Sequence, residues 1–268
     1  MKIEIVAEIG WNFMGDMELA RSMINEASKA GATIAKFQYW NPKKLKPGPW
    51  DNDGRKEIYE KAALNAEKII LLKEFCEYAG IGFLISAFNK DDASFISNLE
   101  ISEIKIPSHE TGNAELHTFA AQNFNKVYCS LGASTEGEVE LAGQIYNSQG
   151  TDWVAMHCVS SYPLSEDSVN FPRMSWMKEK FSKIGFSDHT QSVLIPSFAA
   201  ILGACVIEKH FTVDKNLPGR DNKFALNPKE FLEMVTNIRI AENTLIYKGK
   251  GIQEIELDTY NNYRGRWG

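Results

Sequence analysis

The chain has 268 residues, 44% of them hydrophobic and 24% charged, with a formal net charge of −6. That is ordinary for a globular domain able to bury a core without cross-links, and the acidity, with no long Lys/Arg block, argues against nonspecific nucleic-acid binding. No stretch approaches the roughly 18 apolar residues of a membrane span, and MKIEIVAEIG reads as a first strand rather than a signal peptide, so a cytoplasmic protein is expected.

In chain order, IVAEIG predicts a strand over 3–9, and apolar residues at 19, 20, 23, 24 and 27 predict a helix from Asp16 to Ala30, stopped by Gly31. A second strand over 33–38 leads into a loop over 39–60 whose Pro, Gly, Lys and Asp content predicts irregular structure and a lid. A helix over 61–79 follows. Then come a strand at 81–86, a helix at 90–98, a strand at 103–107, a helix at 113–123, a strand at 126–131 and a helix at 135–147. Beyond a strand at 153–158, a Pro-bounded loop with a short helix covers 163–180. The last elements are a strand at 183–187, a helix at 191–202, a strand at 204–209 and a helix at 228–246. Eight short strands alternating with helices predict a single-domain α/β fold, a (β/α)₈ TIM barrel over 1–247. An open doubly wound sheet is the alternative, but its GxGxxG loop after strand 1 is absent. Residues 248–268 are polar and read as a tail that wraps the barrel or reaches a neighbour. Of the four cysteines, Cys76, Cys129, Cys158 and Cys205, three fall in predicted strands and none in a CxxC pair, which predicts buried free thiols.

The apolar runs stop at residues with useful chemistry. Side chains at i and i+2 of a strand share a face, so Ser187 points with His189 and Glu208 with His210. In a closed barrel the seventh and eighth strands are neighbours, and two imidazoles at one rim can hold a divalent metal with positions left open. A hydrogen-bonded structural pair is the bland alternative, as it is for His109, His117 and His157. Asp188 either supports the metal site from behind or caps the following helix. Lys36 and Lys105 sit in apolar runs where an unpaired ammonium is costly. With Ser86, Ser108, Ser130, Ser160 and Ser187 around one mouth they suit a phosphate and a carboxylate; a Schiff-base lysine or plain snorkelling are the competing readings. Glu8, Glu110 and Asp221 can accept sugar hydroxyls or move protons on a water. Trp11, Asn12 and Tyr162-Pro163 are expected at the mouth.

The motifs AEIGWNFMGD (7–16), AGATIAKFQ (30–38), EIKIPSHE (103–110), SLGAST (130–135), HCVSSYP (157–163), GFSDHT (185–190), GACVIEKHF (203–211) and PGRD (218–221) resemble the sialic acid synthase family. The resemblance implies a barrel enzyme, a carbon–carbon bond-forming transferase. It would condense phosphoenolpyruvate with N-acetylmannosamine or a related hexose to a nine-carbon 3-deoxy-ulosonic acid. It implies a divalent metal, usually manganese with magnesium or cobalt as alternatives, on His189 and His210. It assigns phosphoenolpyruvate to Lys36, Ser86, Lys105, Ser108, Ser130 and Ser187, the sugar to Glu8, Gln38, Tyr162 and Asp221, and the reacting centre to Glu110 and Glu208. Three departures stand out: Phe13 where members have His, Ser160 where they have Asn, and an end at RGRWG near where members begin a small antifreeze-like domain that reaches across a dimer. A homo-oligomer, or a separate partner supplying that domain, is therefore expected. The competing functions are a metal-dependent aldolase using pyruvate, a condensing enzyme for a phosphorylated aldose, and a non-catalytic sugar-binding barrel subunit.

Overall fold

A computed structural model describes residues 2–268. Eight parallel strands close into one barrel: β1 (Glu4–Gly10), β2 (Ile34–Gln38), β3 (Gly82–Ser86), β4 (Glu103–Ile106), β5 (Lys126–Ser130), β6 (Asp152–His157), β7 (Ile184–Asp188) and β8 (Val206–His210). Around it lie α1 (Met17–Lys29), α2 (Arg55–Ala62), α3 (Ala66–Tyr78), α4 (Lys90–Ser97), α5 (Ala114–Asn123), α6 (Glu136–Gln149), α7 (Phe171–Lys180), α8 (Ile195–Leu202) and α9 (Pro228–Thr244), with α10 (Leu257–Asn262) in the tail. The predicted single-domain barrel is the fold observed, and the open-sheet alternative is excluded by the β1–β8 pairing.

Strand alternation sorts the side chains into two layers. One set, Val6, Ile34, Leu84, Tyr128, Val154, Met156 and Val206, packs inside the barrel, while their chain neighbours Ile5, Ala35, Ile85, Cys129, Ala155 and Ile207 pack against the helices. Moving two residues along from the inner layer reaches Glu8, Lys36, Ser86, Ser130 and Glu208. The barrel interior is therefore apolar in its middle layer and polar at the C-terminal end, with a second polar group at the N-terminal end, where Lys126 pairs with Glu4 and the Tyr128 hydroxyl donates to Glu4 and Glu103. Helix starts are set by side chains. Asp16 accepts from the first-turn amides of α1, and the Thr135/Glu138 and Asn227/Glu230 capping boxes open α6 and α9.

The segment over 39–60 departs from expectation. Two short 3₁₀ turns, Pro42–Lys44 and Pro49–Asp51, interrupt it, and α2 already begins at Arg55, so the predicted helix over 61–79 is two helices split before Asn65. Gly54, at a left-handed φ of 82°, makes the turn into α2. Gly15, at φ 78°, lets the β1–α1 loop touch α2, because a Cβ there would stand 2.2 Å from the Lys61 carbonyl oxygen. We expect Gly15→Ala to cost about 1–3 kcal/mol and to detach α2; a lowered Tm with faster proteolysis over 42–62 would show it, whereas wild-type values would mean the contact is dispensable.

The cysteines are all free thiols, but only Cys129 lies within a strand; Cys158 follows β6, Cys205 precedes β8 and Cys76 is in α3. Residues 248–268 are exposed throughout. Among the described residues no helix is long and apolar enough to cross a membrane.

Candidate active site

Four charged side chains interlock at the C-terminal end of the barrel interior. Lys36 Nζ lies 2.7 Å from Glu8 Oε2 and 3.7 Å from Glu208 Oε1; Lys105 Nζ lies 2.7 Å from Glu208 Oε2. Ser187 Oγ donates to Glu208 Oε1 at 2.9 Å, and Gln38 Nε2 donates to Glu8 Oε1 at 2.5 Å. The register explains the meeting: Glu8 is level with both Lys36 and His210, Ser86 with Lys105, and Ser187 with Glu208. Both lysines are buried, at 5% and 1% exposure, so snorkelling is excluded.

The environment separates the two acids. Burial opposes the charge on Glu208, yet Lys105 and Lys36 overcome it and bring its pKa down to about 2. Burial raises the pKa of Glu8, and the attraction of Lys36 does not cancel that together with the repulsion of Glu208. Burial pushes Lys105 below the ordinary lysine range, with Glu208 offsetting only part. For Lys36 the same burial is outweighed by Glu208 and Glu8, and its pKa rises. Glu208 is thus a fixed anion and Glu8 the carboxyl readier to carry a proton.

The two rim histidines face each other, ring centroids 5.8 Å apart. Nδ1 of His189 is 2.7 Å from the Val159 carbonyl, which fixes the proton there and leaves Nε2 as the acceptor. His210 Nδ1 is buried with no hydrogen-bond partner and lies 3.9 Å from Asp221 Oδ2. Burial lowers both pKa values to about 4, so both rings are neutral at pH 7 and offer lone pairs. No group of three or more His, Cys, Asp or Glu that could hold a metal occurs among the described residues. A metal here would have two imidazole ligands and take the rest of its shell from water or substrate, which suits a divalent ion of borderline softness. Tyr162 stands over the pair, 4.1 Å from the His189 ring and 5.9 Å from the His210 ring, next to a cis Tyr162–Pro163 bond.

Ser108 and Ser160 share a 2.7 Å hydrogen bond, Ser130 Oγ is buried without a partner, and Ser86 Oγ donates to the Phe37 carbonyl at 3.2 Å. Asp221 Oδ2 accepts from Trp11 Nε1 at 2.8 Å, and the Trp11 ring stacks on Tyr59 of α2 at 5.2 Å. Glu110 stands apart: its partners are Asn113 Nδ2 at 2.8 Å and His109 at 3.9 Å, on its own turn. His117 bonds Tyr146 Oη and the Thr111 carbonyl, His157 faces the Val169 carbonyl, and His109 stacks on Phe88, so these three are outside the cluster. Asn12 Nδ2 holds the Phe211 carbonyl. Phe13 packs edge-on to Phe37 in the barrel–helix layer. Asp188 caps no helix, since α8 is preceded by Leu194; it binds Thr190 and Lys209 instead. Sequence reasoning missed Trp40 and Tyr59, which close the β1–β2 side of the mouth (Trp40 Nε1 to the Tyr59 carbonyl, 3.1 Å); aromatic residues inside a Pro/Gly-rich loop were the available signal.

The NeuB family model matches residues 23–250. The N,N'-diacetyllegionaminic acid synthase of Legionella pneumophila is 33% identical, with 90% of this chain and 72% of that protein covered. The pseudaminic acid synthase of Campylobacter jejuni is 34% identical, over 96% and 77%. The crystal structure of N-acetylneuraminic acid synthetase from Leptospira borgpetersenii, in complex with citrate, superimposes with a TM-score of 0.90 at 31% identity, over 99% and 93%. Matched by the family model along most of its length and by such relatives along nine-tenths or more, the chain belongs to the NeuB family.

Proposed function

We propose that this enzyme condenses phosphoenolpyruvate with an aldose, N-acetylmannosamine or a related hexose, to give a 3-deoxy-nonulosonic acid and inorganic phosphate. The observation that carries the reading is the meeting of two buried ammoniums with two neutral imidazoles at one end of one barrel. The names of the relatives support it.

Lys36 and Lys105, with Ser86, Ser130, Ser187 and the Ser108–Ser160 pair, hold the phosphate and carboxylate. The two ammoniums are matched by two carboxylates, so the cluster is neutral before substrate arrives. An incoming polyanion must compete with Glu8 and Glu208 for the lysines. A divalent cation, proposed to be manganese on His189 and His210, would supply two positive charges and Lewis-acid polarisation of the aldehyde oxygen. Gln38, Tyr162 and Asp221 hold the sugar hydroxyls, and the aromatic wall of Trp11, Tyr59 and Trp40 excludes water from that side. C3 of phosphoenolpyruvate attacks the aldehyde carbon, whose oxygen takes a proton from a carboxyl of the cluster and becomes a hydroxyl, while C2 is left electron-poor. Water adds to C2, giving up a proton to a nearby carboxylate. Of the two acids, Glu8 is the better proton carrier, because burial already raises its pKa. The bond from C2 to the bridging phosphate oxygen then breaks, the C2 hydroxyl gives its proton to the departing phosphate, and C2 becomes a ketone. Holding both reactants together supplies on the order of 7–11 kcal/mol.

A screen of hexoses, N-acyl-hexosamines and their phosphates tests this directly. Phosphate should appear only when phosphoenolpyruvate and an aldose are both present, with a product heavier than the aldose by the elements of pyruvic acid. Release of pyruvate without sugar would instead identify a different enzyme, and binding of neither phosphoenolpyruvate nor manganese would identify an idle barrel.

A further inference from the structure

The imidazole of His189 points into the mouth, but the turn that carries it is held from the opposite face of the sheet. Lys209, between Glu208 and His210 in β8, faces outward and is 1% exposed. Its Nζ is 2.5 Å from Asp188 Oδ2, 2.6 Å from the Thr190 carbonyl, 3.0 Å from the Ser192 carbonyl and 3.3 Å from Thr190 Oγ1. Asp188 closes the knot, accepting from Thr190 N at 2.9 Å and from Thr190 Oγ1 at 3.0 Å. Every acceptor on that ammonium lies within residues 188–192, on both flanks of His189. The histidine's own carbonyl accepts from Leu164 N at 2.9 Å.

The neighbouring outward positions of β7 and β8, Ile184, Phe186, Ile207 and Phe211, are all apolar core. An ion pair at this one level is therefore an exception, and stability does not explain it: apolar residues of similar volume in place of a buried pair are often neutral or stabilising. What the pair provides is a single geometry for the turn, because one ammonium satisfies carbonyls that would otherwise be free to rearrange.

We propose that Lys209 and Asp188 are positioning residues that hold the His189 imidazole in register with His210. The inference rests on the reading of these histidines as the metal pair. It extends that reading one step further out, to groups that hold the backbone of the ligand-bearing turn; loss of a partner bonded directly to a metal ligand typically weakens metal affinity 10–100-fold, which sets the scale of the expected loss.

The test uses the double variant Asp188→Asn/Lys209→Met, which removes both charges together and leaves no unpaired ion. Its Tm should stay near that of the wild type. Its Mn²⁺ affinity should fall roughly 10–100-fold, while phosphoenolpyruvate affinity measured without metal should be unchanged. Long-range ¹H–¹⁵N spectra should show the single Nδ1-protonated tautomer of His189 in the wild type and a mixture in the variant. Wild-type Mn²⁺ affinity together with an unaltered tautomer in the variant would overturn the proposal. If the wild type itself binds no Mn²⁺, the metal reading fails alone, and the tautomer decides the positioning role. If the double variant does not fold, Lys209→Arg serves the same purpose, since a planar fork cannot reproduce an ammonium's contacts to this turn. It should show the same loss of Mn²⁺ affinity and of tautomer, and retention of both would overturn the proposal.

Discussion

Glu208→Gln should lower stability by about 3–5 kcal/mol and abolish turnover. The carboxylate is the common partner of Lys105, Lys36 and Ser187. Its removal leaves Lys105 buried without the carboxylate it pairs with, the situation in which breaking a buried pair is most costly. For a chain of this size that corresponds to a Tm lower by about 6–20 °C. The pH profile carries a sharper signature. Glu208 titrates near 2 in the folded protein against an ordinary 4.5, so its contribution is complete above pH 4.5 and is lost as pH falls from 4.5 toward 2. His189 and His210 titrate near 4 against 6.5, so the unfolded chain takes up their protons first and stability falls as pH drops from 6.5 toward 4. The wild type should therefore lose these two contributions in turn between pH 6.5 and 2, against an opposite contribution from Glu8, whose raised pKa makes the folded chain the better proton binder above pH 4.5. In the Glu208→Gln variant the limb below 4.5 should flatten while the upper limb remains. Denaturant midpoints measured across that range would reveal it, and a variant as stable as the wild type would refute the central role of the carboxylate.

Metal removal is expected to stop turnover as well, with no loss of the buried ion pairs. Lewis-acid assistance of a carbonyl is worth several kcal/mol, which is on the order of a thousandfold or more in turnover. Chelated protein should be inactive and recover when Mn²⁺ is restored. His189→Ala and His210→Ala should be inactive with or without added metal. The rings are at the rim, so these variants should fold. Full activity in chelated protein would refute the metal's role.

The fold was legible because each strand ends its apolar run at a polar residue with period-two spacing, and such a pattern has few solutions once eight strands alternate with helices. Glu8, Lys36, Lys105, Glu208, His189 and His210 were legible for the same reason: strand parity alone puts them on one face at one end. Which acid pairs with which lysine was not, since that depends on the register of β1, β2, β4 and β8 across the barrel. The start of α2 at Arg55 was hidden by Pro47, Pro49 and Gly54 just before it, which mark turns but not where they end. Glu110 looked close to the site because it follows β4, yet its short 3₁₀ turn directs it to Asn113. The Trp11–Tyr59 stack and the Lys209 knot join residues far apart in the chain or on opposite faces, and no local pattern announces them.

The most direct measurement is the relaxation that protein-bound Mn²⁺ induces in the ³¹P and ¹³C nuclei of bound phosphoenolpyruvate. If the imidazoles of β7 and β8 and the ammoniums of β2 and β4 serve one cavity, the wild type should show strong enhancement. It should vanish in His210→Ala, and in Lys105→Met it should fall with phosphoenolpyruvate binding. Tight binding of both Mn²⁺ and phosphoenolpyruvate without enhancement would place them at separate sites and contradict a shared reaction centre.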